Sequence, residues 1–336
     1  MKEKVIVTKS IRSSPTKAAL EGLGTRIWLG TGAGARQGGR VRVLIVGCGY
    51  VGLPLGAELA RRGHDVFGLR RSADGEAELR AAGIQPLVGD VTELASLRSL
   101  PGAFEWVVNT VSSSKGGAEI YRAVYLEGTR NLIAWLAGTP VSKFVYTSST
   151  SVYGQTDGSE VTEECPAEPG TETGRVLVET ESLLRAEVHA QNFPALVLRV
   201  AGIYGPERGH LFQQFLRGEA RVSGDGRRFI NMIHRDDVVG SILTALERGE
   251  AGRIYNAVDD EAVTQLDFFR WLSEQLGRPM PPFASAAENA GRKRGLTNKR
   301  VANRRLREEL GYRLAHPDFR AGYAAEMRRL GLRGEL

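Results

Sequence analysis

Cysteine is nearly absent from this sequence. The 336 residues hold two, Cys48 and Cys165, far apart and in no CxxC or Cys/His spacing, so neither a disulfide framework nor a zinc centre is indicated. Long apolar runs are missing as well; none approaches the roughly 20 residues that span a bilayer, which argues against a membrane protein. HExxH, GxSxG and carboxylate clusters do not occur, leaving metallohydrolase and serine-hydrolase readings without support and no metal to assign.

Positive charge is in excess, but not where a nucleic-acid surface would need it. The formal net charge is +6. Of 45 Lys/Arg and 39 Asp/Glu, residues 1–40 hold eight and two, so the remaining chain carries 37 of each. A formally neutral body removes the main support for a nucleic-acid role. Residues 1–40 are basic, rich in Ser, Thr and Gly and without apolar periodicity, and are expected to be a disordered extension. They lack the apolar stretch of a secretory signal, and three readings fit them: a transit segment, a solvated tail, or residues added by an upstream start codon. Gly30 to Gly34 reads GTGAG, but no convincing strand precedes it and a phosphate loop is not assigned there. A soluble, cytoplasmic protein acting on a small molecule is the expectation.

From Val41 the pattern changes to short β-branched runs alternating with helical stretches. Strands are expected at Val41 to Val46, Asp65 to Leu69, Gln85 to Val88, Trp106 to Thr110, Lys143 to Ser148 and Ala195 to Val200. Helices are expected at Val51 to Arg62, Asp74 to Ala82, Glu119 to Ala137 and Gly174 to Gln191. This is the order of an α/β protein with a doubly wound parallel sheet, the Rossmann fold, over residues 41–205. Past Gly205 the elements become mixed, as in a smaller α/β substrate lobe over 206–336, partly interleaved with the first domain.

Gly47-Cys48-Gly49-Tyr50-Val51-Gly52 fits GxGxxG directly after an apolar strand and at the opening of a helix. Gly47 permits the tight turn, Gly49 lets the backbone approach a pyrophosphate, and Gly52 permits close helix packing. Phosphates would rest on the helix N-terminus beside Tyr50 and Val51. Cys48 reads as a small residue tolerated in the turn, with a redox role as the other reading. The second strand ends in Gly68-Leu69-Arg70-Arg71-Ser72, where an NAD-specific site usually carries an acid. Two guanidiniums and a hydroxyl suit a 2′-phosphate, favouring NADP(H) over NAD(H), the alternative being solvated arginines. Asp90, with Val91, is placed for the adenine amine or for a plain turn, and Asn109 and Thr110 complete the cofactor set.

The segment Tyr146-Thr147-Ser148-Ser149-Thr150-Ser151-Val152-Tyr153-Gly154 resembles the extended short-chain dehydrogenase/reductase family, the NAD-dependent epimerase/dehydratase group. So do Leu198 to Pro206, Asn231 to Val238, Ile254 to Asn256 and Leu306 to Tyr312, and the resemblance covers about residues 41 to 325. It implies a Ser or Thr after the fifth strand that orients the substrate hydroxyl, a Tyr that takes its proton and a Lys four residues on that lowers the Tyr pKa and holds the nicotinamide ribose. Matching the motif puts the serine role on Ser149. Aligning the next helix on Glu181 places Thr173 at the tyrosine position and Leu177 at the lysine position, and Tyr125 where the family usually has asparagine. A threonine hydroxyl is too weak an acid to become a neutral-pH base, whereas a phenol starting near pKa ~10 can be tuned by a cation. The chain thus resembles the atypical members, which implies dinucleotide binding more firmly than a reaction.

A substitute tyrosine could come from Tyr121, Tyr125 or Tyr153, each of which also reads as an aromatic packing residue. In the second lobe Arg208 and Arg228 could receive an anionic substrate group, or be solvated charge. His234 and Asp237 match a family segment whose role is often structural. The expected function is an NADP(H)-dependent oxidoreductase or epimerase-like enzyme acting on a small carbonyl, hydroxyl or sugar-nucleotide substrate; the alternative is a non-catalytic dinucleotide sensor. The resemblance also makes a homodimer plausible.

Overall fold

The computed structural model describes residues 39–113, 117–290 and 297–332. The expectations placed on the basic extension up to residue 38, GTGAG included, lie outside the described residues. The first half alternates strand and helix: β1 (Arg42–Val46), α1 (Gly52–Arg61), β2 (Asp65–Arg70), α2 (Glu76–Ala81), β3 (Gln85–Val88), α3 (Leu94–Arg98) and β4 (Trp106–Asn109). Then come α4 (Ala118–Tyr121), a π-helical turn (Arg122–Glu127), α5 (Gly128–Leu136), β5 (Lys143–Ser149), a 3-10 turn (Thr150–Val152), β6 (Glu160–Val161), α6 (Glu172–Gln191) and β7 (Ala195–Val200). The rest comprises β8 (Gly202–Tyr204), α7 (His210–Leu216), β9 (Phe229–Ile230), β10 (Met232–His234), α8 (Arg235–Arg248), β11 (Ile254–Ala257) and β12 (Val263–Thr264). It closes with α9 (Gln265–Leu276), α10 (Ala286–Ala290), β13 (Arg300–Val301), α11 (Arg304–Glu308) and α12 (Phe319–Arg329).

Seven parallel strands form one sheet in the order β11-β7-β5-β4-β1-β2-β3, a doubly wound Rossmann arrangement. Helices cover both faces, so β1 and β7 are buried almost throughout and read as continuous apolar runs rather than alternating ones. The register sets Val46 level with Leu69 and Asn109 at the carboxyl ends of β1, β2 and β4. The strand order reverses between β1 and β4, the switch point outside which such sheets bind ligands. Thr110 stitches it, its hydroxyl donating to the carbonyls of Val46 (3.1 Å) and Gly47 (2.9 Å).

Two expectations change here. The helix expected over Glu119 to Ala137 is broken by the π-helical turn, whose wider i→i+5 winding stacks Tyr121 on Tyr125 with centroids 4.2 Å apart. The short α3 was not anticipated, because five residues are too few to show an apolar period. Beyond Gly205 a second apolar core forms around Tyr204, Phe212, Phe268, Phe269, Phe319 and Tyr323. The chain nonetheless returns to the large sheet, since β11 supplies its edge strand beside β7. Among the described residues no helix is long and apolar enough to cross a membrane.

Candidate dinucleotide and substrate site

A cavity of about 680 Å³ opens at the switch point and is walled by the glycine turn, the end of β2, the loops after β3 and β4, the end of β5 and part of the second lobe. Gly47 has φ of 81°, and a Cβ there would meet the Val111 Cα at 2.7 Å, so both conformation and space demand glycine. At Gly52 a Cβ would meet Ile45 Cγ2 and the Gly47 carbonyl oxygen at 2.9 Å, which is the price of seating α1 on β1. Gly49 differs: nothing lies closer to its added Cβ than 4.0 Å, so that Cβ would project into open cavity. The α1 N-terminus has no side-chain cap, and Tyr50 and Val51 line the cavity there. This cradle of backbone fits a pyrophosphate, whose charge the helix dipole and free N–H groups favour. Cys48 is fully buried against Gly68, and burial pushes its thiol up to about 12, the property of a packing residue rather than a redox group.

At the β2 end, Arg70 and Arg71 both line the cavity. Arg70 is tethered: its Nε donates to the Cys48 carbonyl (2.6 Å) and its Nη2 to Glu78 Oε2 (2.9 Å). Arg71 is exposed and meets no carboxylate among the described residues. Ser72 departs from expectation, since it is exposed, donates to Asp74 Oδ2 (3.1 Å) and is not part of the cavity wall. Asp90 lines the cavity and is also a turn residue, its Oδ1 accepting from the Thr92 N–H (2.9 Å) and hydroxyl (2.8 Å); Val91 lies beside it. Asn109 is corrected too. It is buried off the wall, donating to Thr129 Oγ1 (3.3 Å) and accepting from the Val111 N–H (3.2 Å), so it shapes the loop after β4. Thr110 remains on the wall, and Ser112 and Ser113 join it. Their position just past β4, at the switch point, was the signal that could have found them.

At the other end stand Thr147, Ser148 and Ser149 from β5, facing Tyr121 and Tyr125. Ser149 is half-buried, and its Oγ accepts from the Ser151 N–H at 3.1 Å. Tyr125 Oη accepts from the Ser113 N–H at 3.2 Å, and burial beside Tyr125 holds Tyr121 well above the usual phenol range, so its hydroxyl stays protonated and is a hydrogen-bond donor and not a base. Leu177 is on the wall, an apolar patch where the family's lysine would stand, whereas Thr173 is off it in the first turn of α6. Tyr153 is corrected outright: it is fully buried, its hydroxyl donating to Asn256 Oδ1 (2.8 Å) and accepting from Arg199 Nη1 (2.8 Å). Arg199 in turn pairs with Glu181 (2.7 Å), which also accepts from Ser148 Oγ (2.6 Å). This closed network ties β5, α6, β7 and β11 together directly behind Ser149.

From the second lobe Arg208 lines the cavity and Arg228 does not; Arg228 Nη1 donates to the Phe229 carbonyl (3.4 Å), so the two arginines are not brought to the same wall. His234, Asp237 and His316 bring ligand atoms within 4.8 Å of one another. Both Asp237 oxygens are already engaged, by the Tyr312 hydroxyl and the Ala315 N–H on one side and by the His316 N–H and Nδ1 on the other. His234 Nδ1 accepts from the Asp236 N–H and caps α8. The group pins residues 312–316 onto α8.

The parallel order, the glycine turn and the helix it opens define a Rossmann-type protein of the atypical short-chain dehydrogenase kind. The NAD dependent epimerase/dehydratase family model matches residues 43–257, and the chain belongs to that family. Protein YeeZ of Escherichia coli (strain K12) is 30% identical over 290 residues, covering 82% of this chain and 97% of YeeZ. The 3-diazoavenalumate denitrifying reductase of a Streptomyces species is 29% identical over 321 residues, covering 85% of this chain and all of that one. A solved structure of a conserved protein of unknown function from Silicibacter pomeroyi superimposes with a TM-score of 0.71 at 30% identity, covering 86% of this chain and 99% of that one.

Proposed function

We propose that the protein is an NADP(H)-dependent oxidoreductase that works as a reductase on a small carbonyl or comparably electrophilic substrate. The observation that carries this reading is one cavity shared by Arg70 and Arg71, the glycine turn and Ser149. When bound, a nicotinamide dinucleotide supplies the hydride. Gly47, Gly49 and Gly52, with the Tyr50 and Val51 N–H groups, would hold its pyrophosphate. Arg71, exposed and without an acidic partner among the described residues, would meet a 2′-phosphate, with Arg70 anchored beside it. Ser149 would hydrogen-bond the substrate's polar atom, the Tyr121 or Tyr125 hydroxyl could donate a further hydrogen bond to it, and the proton that accompanies the hydride would come from solvent. Leu177 and Thr173 supply no proton relay for either direction, so the reductive reading rests on the cofactor site and on the relatives and not on these two positions. The similarity to a Streptomyces reductase named for a diazo substrate supports the same direction. The neutral body past residue 40 favours a small molecule over nucleic acid.

The apolar Leu177 also favours a second reading, a dinucleotide sensor without turnover. Calorimetric titration of the purified chain against NADP, NADPH, NAD and NADH at fixed salt tests the first step. The expected result is preferential binding of the phosphorylated pair, weakened at least about tenfold, or about 1.4 kcal/mol, by Arg70→Ala/Arg71→Ala. Binding of none of the four overturns the reading. Binding without turnover over a broad carbonyl panel, with Ser149→Ala silent, selects the sensor.

A further inference from the structure

Tyr50 sits inside the glycine turn, yet its side chain leaves the first domain. Its hydroxyl donates to the Pro206 carbonyl at 2.9 Å, in the loop that joins β8 to α7. That loop is closed on itself by reciprocal bonds, Arg208 N–H to the Gly205 carbonyl (3.0 Å) and Gly205 N–H to the Arg208 carbonyl (3.3 Å). Glu207 at its tip has φ of 63°, a left-handed conformation that a non-glycine residue adopts at a cost and that recurs at ligand-holding loops. The product of this geometry is the position of Arg208, whose guanidinium lies 4.2 Å from the centroid of the Tyr50 ring.

Two arginines share that ring, and they differ. Arg235, at 5.4 Å, is paired with Asp236 (2.9 Å) and is absent from the cavity wall. Arg208 meets no carboxylate among the described residues and lies on the wall with Gly47, Gly49 and Val51. Burial keeps Tyr50 neutral, its hydroxyl pushed up to about 12 despite both cations, so the ring remains a platform and a donor. An unpaired guanidinium is therefore held beside the uncapped N-terminus of α1. Both features attract the same thing, an anion with several oxygens, and the planar fork of arginine matches a phosphate bidentately.

We propose that Arg208, positioned by Tyr50, clamps the dinucleotide's pyrophosphate from the second lobe, with the Gly205 to Gly209 loop already held on the glycine turn for that purpose. This rests on the reading of the cavity as a dinucleotide site. The test measures binding of two probes by wild type, Arg208→Ala and Arg208→Lys: whichever of NADPH and NADH wild type binds more tightly, and adenosine 2′-monophosphate, which has no 5′-phosphate. Thermal melts establish that the exposed Arg208 can be replaced without unfolding. The expected result is a loss of about tenfold or more for the dinucleotide in Arg208→Ala and partial recovery in Arg208→Lys, with the nucleotide probe changed less than about twofold. Unchanged dinucleotide affinity in Arg208→Ala, or equal weakening of both probes, overturns the clamp while leaving the cofactor reading intact. A wild type that binds neither dinucleotide overturns both.

Discussion

The two ends of the cavity are made of different material. At the glycine turn the wall is backbone, and its chemistry resides in N–H groups and in the absence of side chains at Gly47, Gly49 and Gly52. Around Ser149 the wall is side chain, with Leu177 on it and Thr173 just off it, the two positions where the resemblance puts a lysine and a tyrosine. A backbone site is robust because nearly any neighbouring side chain is compatible with it. A side-chain site can lose its proton relay through two substitutions while keeping its shape. The Ser149 end has its own rigid support, the buried Glu181, Arg199, Tyr153 and Asn256 network.

Breaking that support has the largest expected effect. Arg199→Met leaves the buried Glu181 carboxyl without its cation, and denaturant unfolding is expected to show a loss of about 3–5 kcal/mol. Next comes the backbone end. Gly47→Val drives a side chain into the Val111 backbone, and calorimetry is expected to show dinucleotide affinity falling at least about a hundredfold, or about 2.7 kcal/mol. If that variant bound cofactor normally, the distinction between a backbone end and a side-chain end would fail. The contrast is sharpened by restoring what the other end lacks. Thr173→Tyr/Leu177→Lys is expected to leave dinucleotide affinity within about threefold while raising alcohol oxidation at least about tenfold, read as initial rates across a pH series.

The smallest effect concerns the pinning of the second lobe. Burial and the adjoining His316 ring lower the His234 pKa, so the unfolded chain takes up a proton there more readily than the folded one. Stability from this residue is complete above the unfolded value of about 6.5 and is lost as pH falls below it, by at most about 1.4 kcal/mol per pH unit. His234→Asn retains a capping group for α8 and is expected to flatten that part of the stability profile, measured by chemical denaturation between pH 5 and 8. An unchanged slope would assign the acid sensitivity elsewhere.

Legibility followed the range of the interactions. The strand, glycine turn and helix from Arg42 to Arg61 could be read because each glycine's role involves neighbours fixed by that local geometry. The identities of Thr173 and Leu177 need no tertiary structure, since they are a matter of the sequence alone. Tyr153 could not be placed, since its partners, Arg199 and Asn256, lie 46 and 103 residues away. Asn109 turned inward to Thr129 for the same reason, and Arg228 and Arg208, similar as sequence, parted because only Arg208 lies in the loop that Tyr50 holds. The π-helical turn left no trace in apolar spacing, because one extra residue in a helical turn changes which side chains stack before it changes which are buried.

The sequence by itself determined the doubly wound sheet and the position of the glycine turn at its switch point, both of which depend on local backbone preference and residue chemistry. Tertiary structure alone decided which polar groups face the cavity and which are spent as scaffolding. Each such choice is a pairing between residues distant in the chain, and a buried polar group takes whichever partner the packed elements bring within hydrogen-bonding distance.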